Sequence, residues 1–170
     1  KTVALVKELE RRVAELGLQD EVVSWRLRLA AMTRNMTHDE LYLWLEQLKL
    51  RQADSEIVRA AVVVGPLLAS SLAREKMTEW EVFKALRKTP VEALVFALAG
   101  MERGLAEARV RLYLRELRHR TLSVTGTDVI ALGVKKGPPV GRILERLREL
   151  RVMGMIEGRS QELEAVRRMV

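Results

Sequence analysis

Four cations and two glycines crowd one short stretch of this chain: Lys135, Lys136, Gly137, Gly141, Arg142 and Arg146. Residues of these types hold an anion rather than break a bond. A guanidinium forks onto phosphate oxygens, and glycine lets a ligand come close to the backbone. Pro138 suits the first position of a helix, where its missing N–H costs nothing. The residues after it, Val140, Ile143, Leu144, Leu147 and Leu150, fall on one helical face. A helix N-terminus carries unpaired N–H groups and a partial positive charge, both attractive to phosphate. The expectation is that amides at the mouth of this helix, ringed by cations, cradle a sugar–phosphate chain. The competing expectation is a tight helix–helix turn whose glycines serve geometry alone.

The elements that must position this stretch can be read upstream of it. Thr125 is a candidate N-cap, with Asp128 three residues on to complete a capping pair. A short helix then runs to Leu132, Gly133 takes the left-handed position that ends it, and Val134 to Gly137 make the turn. The whole resembles a helix-hairpin-helix, in which turn amides grip a nucleic-acid backbone without reading sequence. A second tier of cations is Arg111, Arg115 and Arg118, spaced by four and three on a helix expected from about Leu105 to Arg120. Its apolar face is Ala106, Val110, Tyr113, Leu114 and Leu117. The arginines would either follow a phosphate backbone or form a solvated face.

Charge supports the first choice. Of the net +7 on 170 residues, residues 1–100 contribute +1 (15 Lys/Arg, 14 Asp/Glu) and residues 101–170 contribute +6 (15 and 9). A basic excess beside the glycine turn is the footprint of a nucleic-acid surface. Arginine outnumbers lysine 22 to 8, which favours bidentate phosphate contact but also follows from a GC-rich or thermophilic source. There is no cysteine, so disulfides and thiolate metal sites are excluded, and a reducing, cytoplasmic setting is the expectation. The longest apolar run, Ala60 to Ala69, is too short to span a bilayer. The first residue is Lys1, which suggests a piece of a longer protein.

The rest of the chain reads as helix after helix: an all-α fold of about ten helices and no convincing strand pair. Thr2 to Leu16 is amphipathic and ends at Gly17. A second helix begins near Asp20, with Trp25 and the following leucines expected in the core. Thr37/Glu40, Thr78/Glu81 and Thr89/Glu92 are candidate capping boxes, the last with Pro90 at the first helical position. His38-Asp39 fits the first turn after Thr37 better than a metal site, because the other ligands are missing. A fourth helix starts at Ser55 and should kink or break at Pro66. Residues 91–100 are nearly all apolar and should be central. Ser160 is expected to cap the last helix. Gly100 to Gly104 is the expected seam between a helical body (1–103) and a basic helical tail (104–170) that contains the glycine hairpin.

The tail also resembles the C-terminal region of bacterial tRNA nucleotidyltransferases of the CCA-adding, A-adding and poly(A) polymerase type. The resemblance rests on Leu112-Tyr113-Leu114-Arg115-Glu116-Leu117-Arg118, Thr125-Gly126-Thr127-Asp128, Leu132-Gly133-Val134, Gly137-Pro138, Gly141-Arg142-Ile143-Leu144 and a Gly-x-Ile-x-Gly-Arg run from Gly154 to Arg159. It departs at Met153, where the family usually has an acidic residue. It is good over residues 105–170 and limited to a run of helices before that. The family's Asp-x-Asp magnesium pair and its Glu-Asp-x-x-Arg motif are not found among the four aspartates Asp20, Asp39, Asp54 and Asp128.

The resemblance therefore implies a non-catalytic, tRNA-gripping body and tail. Its partner would be a separate catalytic head, which would use magnesium and ATP, and CTP in some members. No cofactor is expected in this chain. Two alternatives remain at this stage. One is an all-helical interaction module that dimerises through the valine-rich fourth helix, and the other is duplex DNA binding through the hairpin.

Overall fold

The computed structural model describes every residue except Pro66. Among the described residues the chain is all helical, with ten α-helices, one short 3-10 turn and no strand. In order these are α1 (Thr2–Leu16), α2 (Ser24–Thr33), α3 (His38–Gln47), α4 (Gln52–Ser71), α5 (Glu79–Leu86), α6 (Val91–Gly100) and α7 (Leu105–Arg115). The 3-10 turn Leu117–His119 follows, then α8 (Gly126–Ala131), α9 (Pro138–Val152) and α10 (Gly158–Met169). No helix is long and apolar enough to cross a membrane among the described residues.

Local chemistry sets many of these boundaries. Thr37 with Glu40, Thr78 with Glu81 and Thr125 with Asp128 each form a full capping box, side chain to N3 amide and N3 carboxylate back to the cap amide. His38 and Asp39 fill the first turn that the first of these boxes starts. Helix α9 ends in a Schellman arrangement: Gly154, at φ 69°, donates to the Arg151 carbonyl, and Met155 donates to that of Leu150.

Some expectations fail, each through a long-range partner. Thr89 does not cap α6. Pro90 holds the N-cap position without a side-chain bond, and Glu92 turns inward, 5% exposed, to meet Arg26 at 2.8 Å. Arg26 also pairs with Asp54 at 2.6 Å, so α2, α4 and α6 share one ionic knot. Trp25, expected in the core, is 43% exposed, while Leu27, Ala30 and Ala31 take the buried face of α2. Ser160 lies inside α10, whose N-cap is Glu157. Helix α4 is continuous from Gln52 to Ser71; the kink expected at Pro66 falls on the residue outside those described.

The body has two cores. The larger runs from Leu9 through Leu72, Phe83 and Leu98 to Leu114 and Leu117, and a smaller one gathers Ala30, Leu41, Leu45, Val58, Ala61 and Ala93. Of the valines on α4, Val62 packs on the smaller core and Val64 on the larger. Helices α4 and α6 approach closely where a side-chain carbon at Gly65 would stand 3.4 Å from the Ala97 backbone.

A third core, Val124, Val129, Val134, Val140, Leu147 and Val166, belongs to the tail. Helix α7 buries Val110, Tyr113 and Leu114 in the larger body core, and Val152 at the end of α9 joins them there. Arg109 strengthens that attachment by donating to the carbonyls of Leu72, Arg74 and Glu75 at the end of α4. The tail is fastened to the body by Arg87–Glu145 at 3.0 Å and by Arg120, which donates to Glu79 and to the Val152 carbonyl.

Removing Arg26 strands Glu92 in a nearly dry site. Arg26→Ala is expected to cost about 3 kcal/mol or more in urea unfolding, whereas Arg28→Ala, whose pair with Glu10 is exposed, should cost under about 1 kcal/mol.

Candidate functional site

The glycine hairpin forms as a α8–turn–α9 unit. Gly133, at φ 98°, follows the end of α8, and Gly137, at φ 120°, precedes α9; both angles favour glycine. Gly126 is the close-packing glycine of the pair, since a side-chain carbon there would meet Val140 at 3.4 Å and Leu144 at 3.8 Å. The turn is anchored from below by Val134 and Val140, both buried.

Helix α10 holds the unit in place. Glu162 is 0% exposed, and its Oε2 accepts the amides of Ser123 and Val124, each at 2.8 Å. One turn earlier, Arg159 donates to the Ser123 carbonyl at 3.0 Å and to both oxygens of Asp128. Asp128 also closes the capping box with Thr125. The Arg159 guanidinium first, and the Thr125 amide and hydroxyl next, hold the Asp128 carboxyl well below the usual carboxylate range. Sequence reasoning missed the positioning role of Glu162. Arg159 was visible only as the end of the Gly-x-Ile-x-Gly-Arg run.

Above this platform the expected ligand residues separate into two groups. Lys135, Lys136, Gly137, Gly141 and Arg142 are exposed at one edge. Among the described residues no carboxylate lies within 4 Å of Lys135, Lys136 or Arg142, and the pairs formed nearby belong to Arg87, Arg146 and Arg148. Arg146 is exposed and pairs with Glu149 of its own helix at 2.6 Å. A side-chain carbon at Gly137 or Gly141 would meet nothing within 4 Å. The mouth of α9 is thus open, and its nearest cations are uncommitted.

The donors at that mouth are not where the sequence placed them. Pro138 and Pro139 occupy the first two positions of α9 and have no N–H, and the Val140 amide is bonded to the Gly137 carbonyl at 3.1 Å. In the turn itself the amides of Val134, Lys135, Lys136 and Gly137 have no backbone partner, and of these residues all but Val134 are exposed. The turn, not the first turn of the helix, presents the N–H groups. Two consecutive prolines remove the donors that a helix start ordinarily supplies.

The second tier does not form a stripe. Helix α7 stops at Arg115, and Arg118 sits in the 3-10 turn beyond it. Arg111 pairs with Glu107 and, at 3.2 Å, with Glu15 of α1. Arg118 forks onto Glu21 at 2.6 and 2.7 Å, which holds the Glu21 carboxyl below its ordinary range. Both arginines fasten α7 and the 3-10 turn to the N-terminal part of the body. Arg115 alone of the three stays exposed without a carboxylate partner among the described residues.

The class of protein this arrangement defines is an all-helical body carrying an open, cationic, glycine-rich helix–turn–helix. Comparison with known proteins narrows it. The chain is 24% identical over 153 residues to an A-adding tRNA nucleotidyltransferase of Geobacter sulfurreducens, a match covering 87% of this chain and 17% of that protein. It is 38% identical over 85 residues to a CC-adding tRNA nucleotidyltransferase of Deinococcus radiodurans, covering 49% of this chain and 22% of that protein. The chain thus spans less than a quarter of the length of these curated relatives. No family model matches it, and no solved structure matches it.

The Asp128 carboxylate has a lowered pKa in the fold, so its contribution to stability is full above the unfolded value of about 4 and fades as pH falls below it. Asp128→Asn should speed amide exchange of residues 123–134 at pH 7. The gap between variant and parent should narrow as pH drops below about 4, as followed by hydrogen exchange.

Proposed function

We propose that this chain is a non-catalytic tRNA-binding body and tail of a tRNA nucleotidyltransferase, and that the α8–α9 hairpin holds the sugar–phosphate backbone while a separate head adds nucleotides to the 3′ end. The observation that carries this reading is the open edge of the hairpin, where Lys135, Lys136 and Arg142 stand without carboxylate partners around Gly137 and Gly141. The similarity to two enzymes whose names specify tRNA supports it. Backbone contact suits a protein that must accept many tRNAs of one shape and different sequences.

Gly141 distinguishes this reading from a purely geometric hairpin. It lies within α9, has no positive φ and touches no neighbour that would exclude a methyl group. A glycine in a helix costs about 1 kcal/mol against alanine. Packing gives no reason to keep it there, whereas close approach by an outside backbone does.

Magnesium and ATP or CTP belong, in this reading, to the head and to a cytoplasmic enzyme. The residues described here do not suit the metal: Asp54 and Asp128 are bound to Arg26 and Arg159, and no three metal-ligating side chains come together among them.

Two outcomes are expected from equilibrium binding of unmodified tRNA. Affinity should fall steeply with salt, and Arg142→Glu should weaken all tRNAs alike by about tenfold or more and flatten the salt slope. Gly141→Ala should raise thermal stability yet weaken tRNA, the opposite of what a hairpin without a ligand would show. An Arg142→Glu variant that binds as tightly as the parent, or a chain that dimerises in light scattering and retains no tRNA at moderate salt, would overturn the reading.

A further inference from the structure

Helix α3 has two apolar faces, and the body covers one of them. Leu41 and Leu45 are buried in the smaller core. Glu40, Leu43, Trp44 and Gln47, three and four positions apart, make the second face. With Met32, Asn35 and Met36, from the end of α2 and the turn after it, they line a shallow groove of about 510 Å³. Met32 is 67% and Leu43 59% exposed. Met36 and Trp44, half-buried, rest on the smaller core and floor the groove. Large apolar side chains left open side by side around a concave surface mark a place that another molecule covers.

Charge says what covers it. Between Asn35 and Leu48 the chain has three acids, Asp39, Glu40 and Glu46, and no lysine or arginine, although the whole chain carries +7. None of the three forms an ion pair among the described residues. Their hydrogen-bond partners are neutral, the Thr37 amide and hydroxyl for Glu40 and the Tyr42 hydroxyl for Glu46. Helix stability explains only part of this. Asp39 and Glu40 lie in the first turn of α3, where a negative charge suits the helix dipole. Glu46 lies in the last turn, where a cation would be favoured and none is present. RNA and anionic lipid carry the wrong sign for this face. A groove between two helices, with apolar residues at helical spacing, accepts the apolar ridge of a third helix. The two methionines can adapt to that ridge, and the acids select lysine or arginine along its edges.

We propose that the α2–α3 groove docks a basic amphipathic helix of a partner protein, with Met32, Met36, Leu43 and Trp44 holding its apolar side and Asp39, Glu40 and Glu46 facing its cations. The proposal does not rest on the RNA reading. The two surfaces have opposite charge and share no residue.

The test titrates the whole chain with a helical peptide of about fifteen residues that has leucine at the spacing of one helix face and lysine elsewhere. Two controls run in parallel: a version with glutamate in place of lysine, and a lysine version with the leucines scattered around the helix. The readout is the NMR signal of the Trp44 indole N–H. The amphipathic lysine peptide should shift that signal saturably and bind about tenfold more tightly than the scattered one. Its affinity should fall with salt, and the glutamate version should not shift the signal. Leu43→Ser should weaken the peptide about tenfold while leaving the unfolding midpoint and tRNA binding unchanged. Glu46→Gln, also exposed, should weaken it and flatten its salt dependence. Leu67→Ser, as exposed on α4 as Leu43 is on α3, should change nothing. Equal binding of the scattered peptide would reduce the face to bare charge and overturn the proposal. Binding that survives Leu43→Ser, or a Trp44 signal moved by tRNA, would overturn it too. A dimer in light scattering that Leu43→Ser abolishes would put a second copy of this chain in the groove and overturn the partner helix.

Discussion

The exposed edge of this molecule depends on a carboxylate that no ligand touches. Glu162 lies sealed in the tail and takes the amides of Ser123 and Val124, the two residues that lead into α8. An amide pair bound by one carboxylate oxygen is a strong, directional contact. With Arg159 on Asp128 a turn away, α10 fixes where α8 starts, and the packing of Gly126 against Val140 and Leu144 then fixes where α9 lies. The free cations of the turn are held at a defined place by groups that are themselves engaged within the fold.

That division of labour runs through the whole chain. Most of its half-buried arginines are structural: Arg26 ties three helices, Arg109 ends α4, Arg111 and Arg118 tie α7 and the 3-10 turn to the N-terminal part of the body, and Arg120 docks the tail. The surplus of positive charge reads as a single basic surface in the sequence. In the fold it separates into cations spent on carboxylates and cations left free, among them Lys135, Lys136 and Arg142 at the hairpin and Arg115 at the end of α7. Only the second kind releases counterions when a polyanion binds.

What was legible in advance was what neighbours in sequence decide. The capping boxes at Thr37, Thr78 and Thr125, the left-handed ends at Gly17 and Gly133, and the all-helical class follow from residues within four positions of one another. What was not legible was decided by partners far along the chain. Glu92 has the spacing of a cap but is taken by Arg26, 66 residues away. Arg118 has the spacing of a stripe but is taken by Glu21, 97 residues away. One miss was local and avoidable: Pro139 was in plain view after Pro138, and two prolines leave a helix start without its donors. That moves the candidate amides back into the Lys135–Gly137 turn and leaves the cations where they were expected.

The most direct measurement is therefore amide hydrogen exchange on the whole chain with and without tRNA at low salt. The amides of Lys135, Lys136 and Gly137 should slow together when tRNA is added and recover as salt is raised. If tRNA binds and those three exchange at unchanged rates while protection appears elsewhere, the hairpin is a packing device and the account is wrong.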